Sequence, residues 1–333
     1  MSKKSVGIIG IGASLPDKIV TNKDLEDIVD TSDEWIKKRT GIEERRVLDD
    51  GQNLSDLGAQ AGIDAITDAG IDPDDIDMII VATGSPELIW PSTACLIQQK
   101  MGIKGQPAFD LQAACTGFTY GVDIASQLVG SGTYKNVLLI GAEAMTRYVD
   151  WSDRSTCILF GDGAAAVVIG GVEEGLGIIS SDLGADGSGS DLLTIPKSGS
   201  AVKHGRHQSV VDQTIKMNGG EVFKFAVRVI VSTVEDLIEK SGIKLEEISR
   251  IVPHQANKRI TYSAAEKLGI SREIMVSNIA KYGNTGSASI PLALFDLNRD
   301  GRLQKGDIFV TVGFGAGLTW GSNLIKWSKH LNR

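Results

Sequence analysis

The sequence predicts an α/β protein built from two copies of one unit, on three observations. Short apolar runs alternate along the chain with segments of helical apolar spacing, the pattern of strands covered by helices. Several short segments recur in the same order in the two halves. The chain has 333 residues, more than one simple core organises and about right for two domains. The clearest recurrence sets Ala69-Gly70-Ile71, with Ile76, Ile79 and Ile80, against Ser241-Gly242-Ile243, with Ile248, Ile251 and Val252. In each copy an amphipathic helix stops at the glycine, an acidic turn follows, and a β-rich run begins. Met101-Gly102-Ile103 returns as Leu268-Gly269-Ile270, and Val137-Leu138-Leu139-Ile140-Gly141 as Phe309-Val310-Thr311-Val312-Gly313. Cys115-Thr116-Gly117 returns as Asn284-Thr285-Gly286. These matches divide the chain into halves 1–175 and 176–333, meeting near Gly170–Gly177, each with a mixed or largely parallel sheet.

In chain order, Val6-Gly7-Ile8-Ile9-Gly10-Ile11-Gly12 reads as a first strand. Its apolar core is too brief and too glycine-broken for a signal peptide, and Leu15 stands where a dinucleotide fingerprint needs its third glycine. Ala108 to Gly117 is an apolar run that turns a tight small-residue corner at Cys115. Helical spacing then continues through Phe118, Val122, Ala125 and Val129. Ser180–Lys216 is rich in Gly, Ser and Asp and reads as surface loop or hairpin. Within it His204 and His207 form an H-x-x-H with no third ligand, so no metal site is expected. Further on, His254-Gln255-Ala256-Asn257 continues an apolar strand, and Asn284 follows a turn at Tyr282-Gly283.

Composition narrows the function. Hydrophobic residues make up 42% and charged residues 23%, an ordinary globular balance. A net charge of −8 lacks the basic face that nucleic acid requires. The cysteines, three in number with no C-x-x-C, suit a reducing cytoplasm rather than a disulfide framework. No run is long enough to span a bilayer.

Cys115 is the residue type and position for a nucleophile. A strand turning into a helix presents the corner residue at the helix N-terminus, whose partial positive charge favours the thiolate. This is the logic of a nucleophile elbow. If the halves place equivalent corners face to face, Cys115 and Asn284 meet across a pseudo-two-fold axis. His254, beyond a strand carboxyl end, can join them. Thiol, imidazole and carboxamide together suit thiol-based acyl transfer.

The chain resembles the β-ketoacyl-[acyl-carrier-protein] synthase III family in motifs spread over nearly its whole length. They are Thr31 to Ile36, Arg39 to Ile42, Asp110 to Gly117, Phe160 to Ala164, Val252 to Asn257, Gly283-Asn284-Thr285 and Gly313 to Gly321. The resemblance implies a thiolase-like fold with duplicated halves in α/β/α/β/α layers, a homodimer, and no cofactor, acyl-CoA being a substrate. It implies that Cys115 takes an acyl group from an acyl-CoA such as acetyl-CoA, releasing CoA. It also implies that malonyl-acyl carrier protein loses CO₂ to give the attacking enolate, the reaction that starts type II fatty acid synthesis. His254 and Asn284 are the implied enolate donors, and the backbone N–H groups of Cys115 and Ala316 the implied oxyanion hole. The family has a third consecutive glycine at Ala316, where a left-handed backbone would strain alanine.

Trp35, Arg39, Arg154, Gly219, Phe223, Ala256 and Asn257 match the family's CoA contacts, with adenine implied between Trp35 and Arg154. Lys224 and Arg228 on one helix, and Arg259 and Lys267 on another, form basic faces that suit an acidic carrier protein. Trp90 falls where the family places a ring that crosses the dimer interface to close the partner's acyl pocket. An indole there points to a small starter. Other readings are a relative with a branched, polyketide or quinolone-type starter, or a non-catalytic scaffold. Thiolase chemistry needs a second catalytic cysteine, and neither Cys95 nor Cys157 lies in a matching motif. Hydroxymethylglutaryl-CoA synthase chemistry needs a carboxylate base that no motif supplies.

Overall fold

The structure, a computed structural model, describes residues 4–196, 198–201 and 213–329. His204 and His207 lie outside the described residues. The chain opens with β1 (Val6–Ser14), then β2 (Ile19–Thr21), α1 (Asn22–Glu26), α2 (Asp33–Thr40) and β3 (Glu44–Arg46). It continues through α3 (Leu54–Ala69), β4 (Met78–Ala82), α4 (Thr93–Lys100), β5 (Ala108–Leu111) and α5 (Gly117–Gly130). Next come β6 (Val137–Ala144), α6 (Arg154–Cys157), β7 (Asp162–Gly171), β8 (Gly177–Ala185), β9 (Leu193–Thr194) and β10 (Lys216–Met217). The rest is α7 (Gly219–Ser241), β11 (Ile248–Pro253), α8 (Lys258–Leu268), α9 (Ile279–Tyr282), α10 (Ser289–Arg299), β12 (Ile308–Gly315) and β13 (Thr319–Lys326).

Two mixed sheets carry the fold. One has the order β1-β7-β6-β4-β5 and the other β11-β12-β13-β8. Read from β8, the second order repeats the first, and a parallel bridge between Ile251 and Met275 stands where β5 stands in the first. The recurring glycines do the same work in both copies. Gly70 and Gly242 end α3 and α7 at φ 67° and 71°, the left-handed cap that a Cβ disfavours.

Neighbouring side chains of each sheet feed different layers, because successive residues of a strand face opposite sides. Met78 and Ile80 of β4 join α5, α10 and Phe309 of β12 in the central core. Ile79 and Val81 join α3 and α4 on the outer face of the first sheet. On the second sheet Ile251, Val310 and Val312 pack under α7 and α8. The layers are therefore α3/α4, sheet, α5/α10, sheet, α7/α8. The glycines of β1 serve this packing: a Cβ on Gly10 would stand 2.1 Å from the Ala65 carbonyl oxygen of α3.

One expectation fails. Ser180 to Ala185, expected in a loop, belongs to β8 and pairs antiparallel with β13. The strand is only partly covered and its composition is that of a turn, so no apolar alternation marked it. Its small residues have a packing reason, since the Trp320 indole lies against Gly184, 2.5 Å from where a Cβ would be.

Candidate active site

A cavity of about 710 Å³ opens beyond the carboxyl ends of the parallel strands of both sheets, and Cys115, His254 and Asn284 all line it. Cys115 sits in a single 3₁₀ turn, Ala114–Thr116, between β5 and α5. Ala114 is the non-glycine residue held at positive φ, 46°, among the described residues. Such a conformation costs about 1–3 kcal/mol and marks the corner as a strained elbow. The second half presses directly on it. A Cβ on Gly315 of β12 would lie 2.9 Å from the Cys115 nitrogen, so only glycine permits this approach. Thr319 ties the contact: its hydroxyl lies 2.9 Å from the Thr116 hydroxyl and donates to the carbonyls of Ala113 at 3.1 Å and Ala316 at 3.0 Å.

His254 leaves the end of β11, and its backbone N–H donates to Val312 O at 2.8 Å. The ring is 3% exposed and meets Phe314 edge-on at 5.0 Å. Burial lowers its pKa to about 3, so the imidazole is neutral at physiological pH. Nδ1 lies 2.6 Å from the Ser289 hydroxyl, and that oxygen also receives the Gln255 N–H at 3.3 Å. Among the described residues Nδ1 is the one acceptor in reach of the Ser289 O–H, so the hydroxyl donates there and the ring proton sits on Nε2. Asn284 is fixed in the same sense. Its Oδ1 accepts the Gly286 N–H at 2.9 Å, so the amide NH₂ remains as the donor. The site thus offers two neutral N–H donors.

The thiol departs from expectation. Burial, reinforced by the nearby Glu143 carboxylate, pushes Cys115 up to about 12, opposing the helix N-terminus that favours thiolate. Its own backbone N–H works the other way but does not prevail. Cys115 is thus a neutral thiol that shares its cavity with a neutral imidazole.

Glu143 itself was missed in the sequence. It ends β6, lines the cavity and is buried, and burial raises its pKa against the donors around it. Those donors are the Gly84 N–H at 3.0 Å, the Ser85 hydroxyl at 2.5 Å and the Ser287 N–H at 3.2 Å. The carboxylate that no motif supplied is therefore present, with its lone pairs engaged in joining the end of β4 to the turn that carries Asn284. Ser289 and Thr319 were missed too. The one signal for Glu143 was a charge ending a wholly apolar strand, Val137–Ala144.

Of the residues matched to CoA contacts, Trp35, Arg39, Gly219, Phe223, Ala256 and Asn257 line the cavity, and Arg154 does not. Arg154 packs directly on the Trp35 ring, 4.9 Å from its centroid, with no room left for a base between them. Arg39 stands 5.8 Å from the same ring. Ala316 lines the cavity and is absent from the left-handed region, so alanine is unstrained there. The basic faces are unequal. Lys224 is paired with Glu221 at 2.8 Å and Arg228 lies over Phe225. Arg259 lies over Phe223 at the cavity wall, with Lys267 exposed in the last turn of α8. Trp90 is 88% exposed beside Ile89 at 75%, well outside its own cavity. Neither Cys95 nor Cys157 lines the cavity.

Stacked copies of one α/β unit with a thiol elbow from the first copy and amide and imidazole donors from the second define a thiolase-like, acyl-transferring condensing enzyme. The comparisons narrow this to a family. The 3-oxoacyl-[acyl-carrier-protein (ACP)] synthase III profile matches residues 109–187, and the profile of that family's C-terminal region matches 238–327. The chain is 52% identical over 325 residues to the beta-ketoacyl-[acyl-carrier-protein] synthase III of Clostridium acetobutylicum, covering 98% of this chain and 99% of that one. It is 50% identical over 329 residues to the enzyme of the same name from Caldanaerobacter subterraneus subsp. tengcongensis, with coverage of 98% and 99%. Among solved structures, 3-oxoacyl-[acyl-carrier-protein] synthase III from Aquifex aeolicus VF5 superposes with a TM-score of 0.90 at 45% identity, covering 97% and 100%. The priming β-ketosynthase from the R1128 polyketide biosynthetic pathway gives 0.92 at 34%, covering 98% and 97%. The chain belongs to the β-ketoacyl-[acyl-carrier-protein] synthase III family.

Proposed function

We propose that the chain performs the first condensation of fatty acid synthesis, joining a short acyl-CoA, acetyl-CoA foremost, to malonyl-acyl carrier protein. The observation that carries this reading is the common cavity of Cys115, His254 and Asn284, with the last two held as donors by Ser289 and Gly286. In the first step the Cys115 sulfur attacks the thioester carbonyl. CoA leaves with the thiol proton, and the backbone N–H groups of Cys115 and Ala316 hold the oxyanion. In the second, malonyl loses CO₂, and the electrons of that bond form an enolate whose oxygen the two neutral donors hold. The enolate carbon then attacks acyl-Cys115, giving the 3-oxoacyl product and the Cys115 thiolate, which takes a proton from solvent to restore the thiol. One such donor is worth roughly 3–4 kcal/mol in the transition state. The scheme needs no cofactor, because decarboxylation generates the carbanion.

Within this reading the CoA moiety runs past Trp35, Arg39, Arg154, Gly219, Phe223, Ala256 and Asn257, and an acidic carrier docks over Lys224, Arg228, Arg259 and Lys267. The halves are 1–175 and 176–333, a division supported by strands of one sheet ending at Gly171 and the other beginning at Gly177. The enzyme works as a cytoplasmic homodimer, with Trp90 closing the partner's acyl pocket. The exposure of Leu88, Ile89, Trp90 and Phe109 supports a covered face there. No helix among the described residues is long and apolar enough to cross a membrane. The likeness to a polyketide priming ketosynthase favours, as second reading, a specialised starter.

Incubation with acetyl-CoA followed by mass spectrometry tests the first step: an acetyl adduct on Cys115 supports the enzyme, and its absence supports a binding scaffold. A primer panel with malonyl-loaded carrier protein tests the second, with acetyl-CoA expected to be preferred. Faster turnover of long straight-chain primers would refute the small starter.

A further inference from the structure

A second cavity, of about 590 Å³, lies on the other side of α8 from the condensation site. Asn257, Arg259 and Ile260 line the first cavity, whereas Lys258 and Tyr262 line the second. Its wall carries four cations, Arg250, Lys258, Arg272 and Arg302, against one carboxylate, Glu273. Among the described residues none of the four is in an ion pair. Such an excess is notable in a chain of net charge −8, because like charges around one cavity repel until an anion joins them.

Two further features make this more than a solvated basic face. The Tyr262 ring gathers the Arg272 guanidinium to 4.6 Å and the Lys258 ammonium to 5.4 Å of its centroid, which holds two charges side by side before any ligand arrives. Arg250 Nη1 donates to Ser249 O at 2.6 Å, which holds its guanidinium in place at the cavity wall. Guanidinium forks and an ammonium around a concavity match adjacent phosphate groups better than a lone carboxylate. The volume falls within the roughly 300–1,000 Å³ range of small-molecule sites.

We propose that this cavity binds a small ligand bearing adjacent phosphates, held by Arg250, Lys258, Arg272 and Arg302. The diphosphate has two sources: a free nucleotide, or CoA seated away from the acyl-transfer mouth.

Calorimetric titration of the whole protein with inorganic pyrophosphate tests this. Saturable binding is expected, weakened by salt. Its Kd should rise about tenfold or more in Arg272→Glu and in Lys258→Glu, and stay unchanged in Arg39→Ala. Arg272 is exposed, so its reversal leaves the core intact, and Arg302→Ala, also at an exposed residue, provides a second readout. No saturable binding would overturn the proposal. So would binding removed by Arg39→Ala yet kept in Arg272→Glu, which would place the phosphates in the condensation cavity, where Arg39 stands. ADP affinity that falls in Arg272→Glu while CoA affinity holds identifies a free nucleotide. A fall for CoA as well identifies CoA as the source.

Discussion

The Ser289 hydroxyl, at the first position of α10, lies 2.6 Å from His254 Nδ1 and fixes which ring nitrogen carries the proton. Turned into an acceptor for Nδ1–H, Ser289 would leave its own buried O–H without a partner among the described residues, so donation to Nδ1 is the satisfied arrangement. Ser289→Ala removes that constraint and lets the proton move to Nδ1, away from the enolate. Condensation should fall about 100-fold, the scale of one lost oxyanion donor. Acetylation of Cys115 by acetyl-CoA should be preserved. Rapid-quench measurement of both steps checks the split, and equal losses in both would show that Ser289 only supports the fold.

Glu143 links the two halves through donors alone, so its neutral isostere is a poor replacement. In Glu143→Gln the amide NH₂ must face the N–H of Gly84 or Ser287, a clash of donors expected to cost about 1–3 kcal/mol in denaturant unfolding. The same change removes the negative charge that helps hold the Cys115 thiol up near 12. The pH profile of Cys115 alkylation should therefore move to lower pH. An unmoved profile would mean that burial alone sets the thiol.

Acid should destabilise the protein through His254. Folded, the imidazole takes its proton only near pH 3, whereas in the unfolded chain it does so near 6.5. Between those values the unfolded state binds the extra proton, so stability falls as pH drops through the window and is unaffected by this group above it. The slope is at most about 1.4 kcal/mol per pH unit. His254→Asn should flatten the dependence of the unfolding midpoint on pH in that window, and an identical slope in both proteins would assign the acid sensitivity elsewhere.

Much of this site was legible because duplication leaves a record in short turns. Gly70 and Gly242 mark the same helix end, and Cys115 and Asn284 the same corner, so a one-dimensional match placed two groups in one cavity. The residues that tune those groups left no such record. Glu143, Ser289 and Thr319 act through hydrogen bonds between segments far apart in sequence, and Ser289 and Thr319 are residue types common anywhere. The thiol was misjudged for the same reason: a helix terminus can be read locally, but desolvation depends on everything packed around it. The turn-like composition of β8 hid a strand that exists only because β13 pairs with it.

Trp90 provides the final prediction, on chain-length choice. In a single chain its ring has nothing to cover and is 88% exposed, among Leu88, Ile89 and Phe109, which are also exposed. A ring that size left in water is unfavourable, and a partner's acyl pocket is the surface that the proposed dimer would bring to it. If the indole ends that pocket, Trp90→Ala should lengthen it by several methylene groups. Each methylene that gains a place in an apolar pocket changes discrimination by roughly tenfold or more. The ratio of kcat/KM for octanoyl-CoA to that for acetyl-CoA should then rise at least about tenfold. Acetyl turnover should fall only modestly, since Cys115, His254 and Asn284 are untouched. Sedimentation of the same variant should show a weaker dimer, because a large apolar contact is lost. A ratio that stays constant while the dimer weakens would leave Trp90 an interface residue alone and return control of the starter to the chain's own cavity wall.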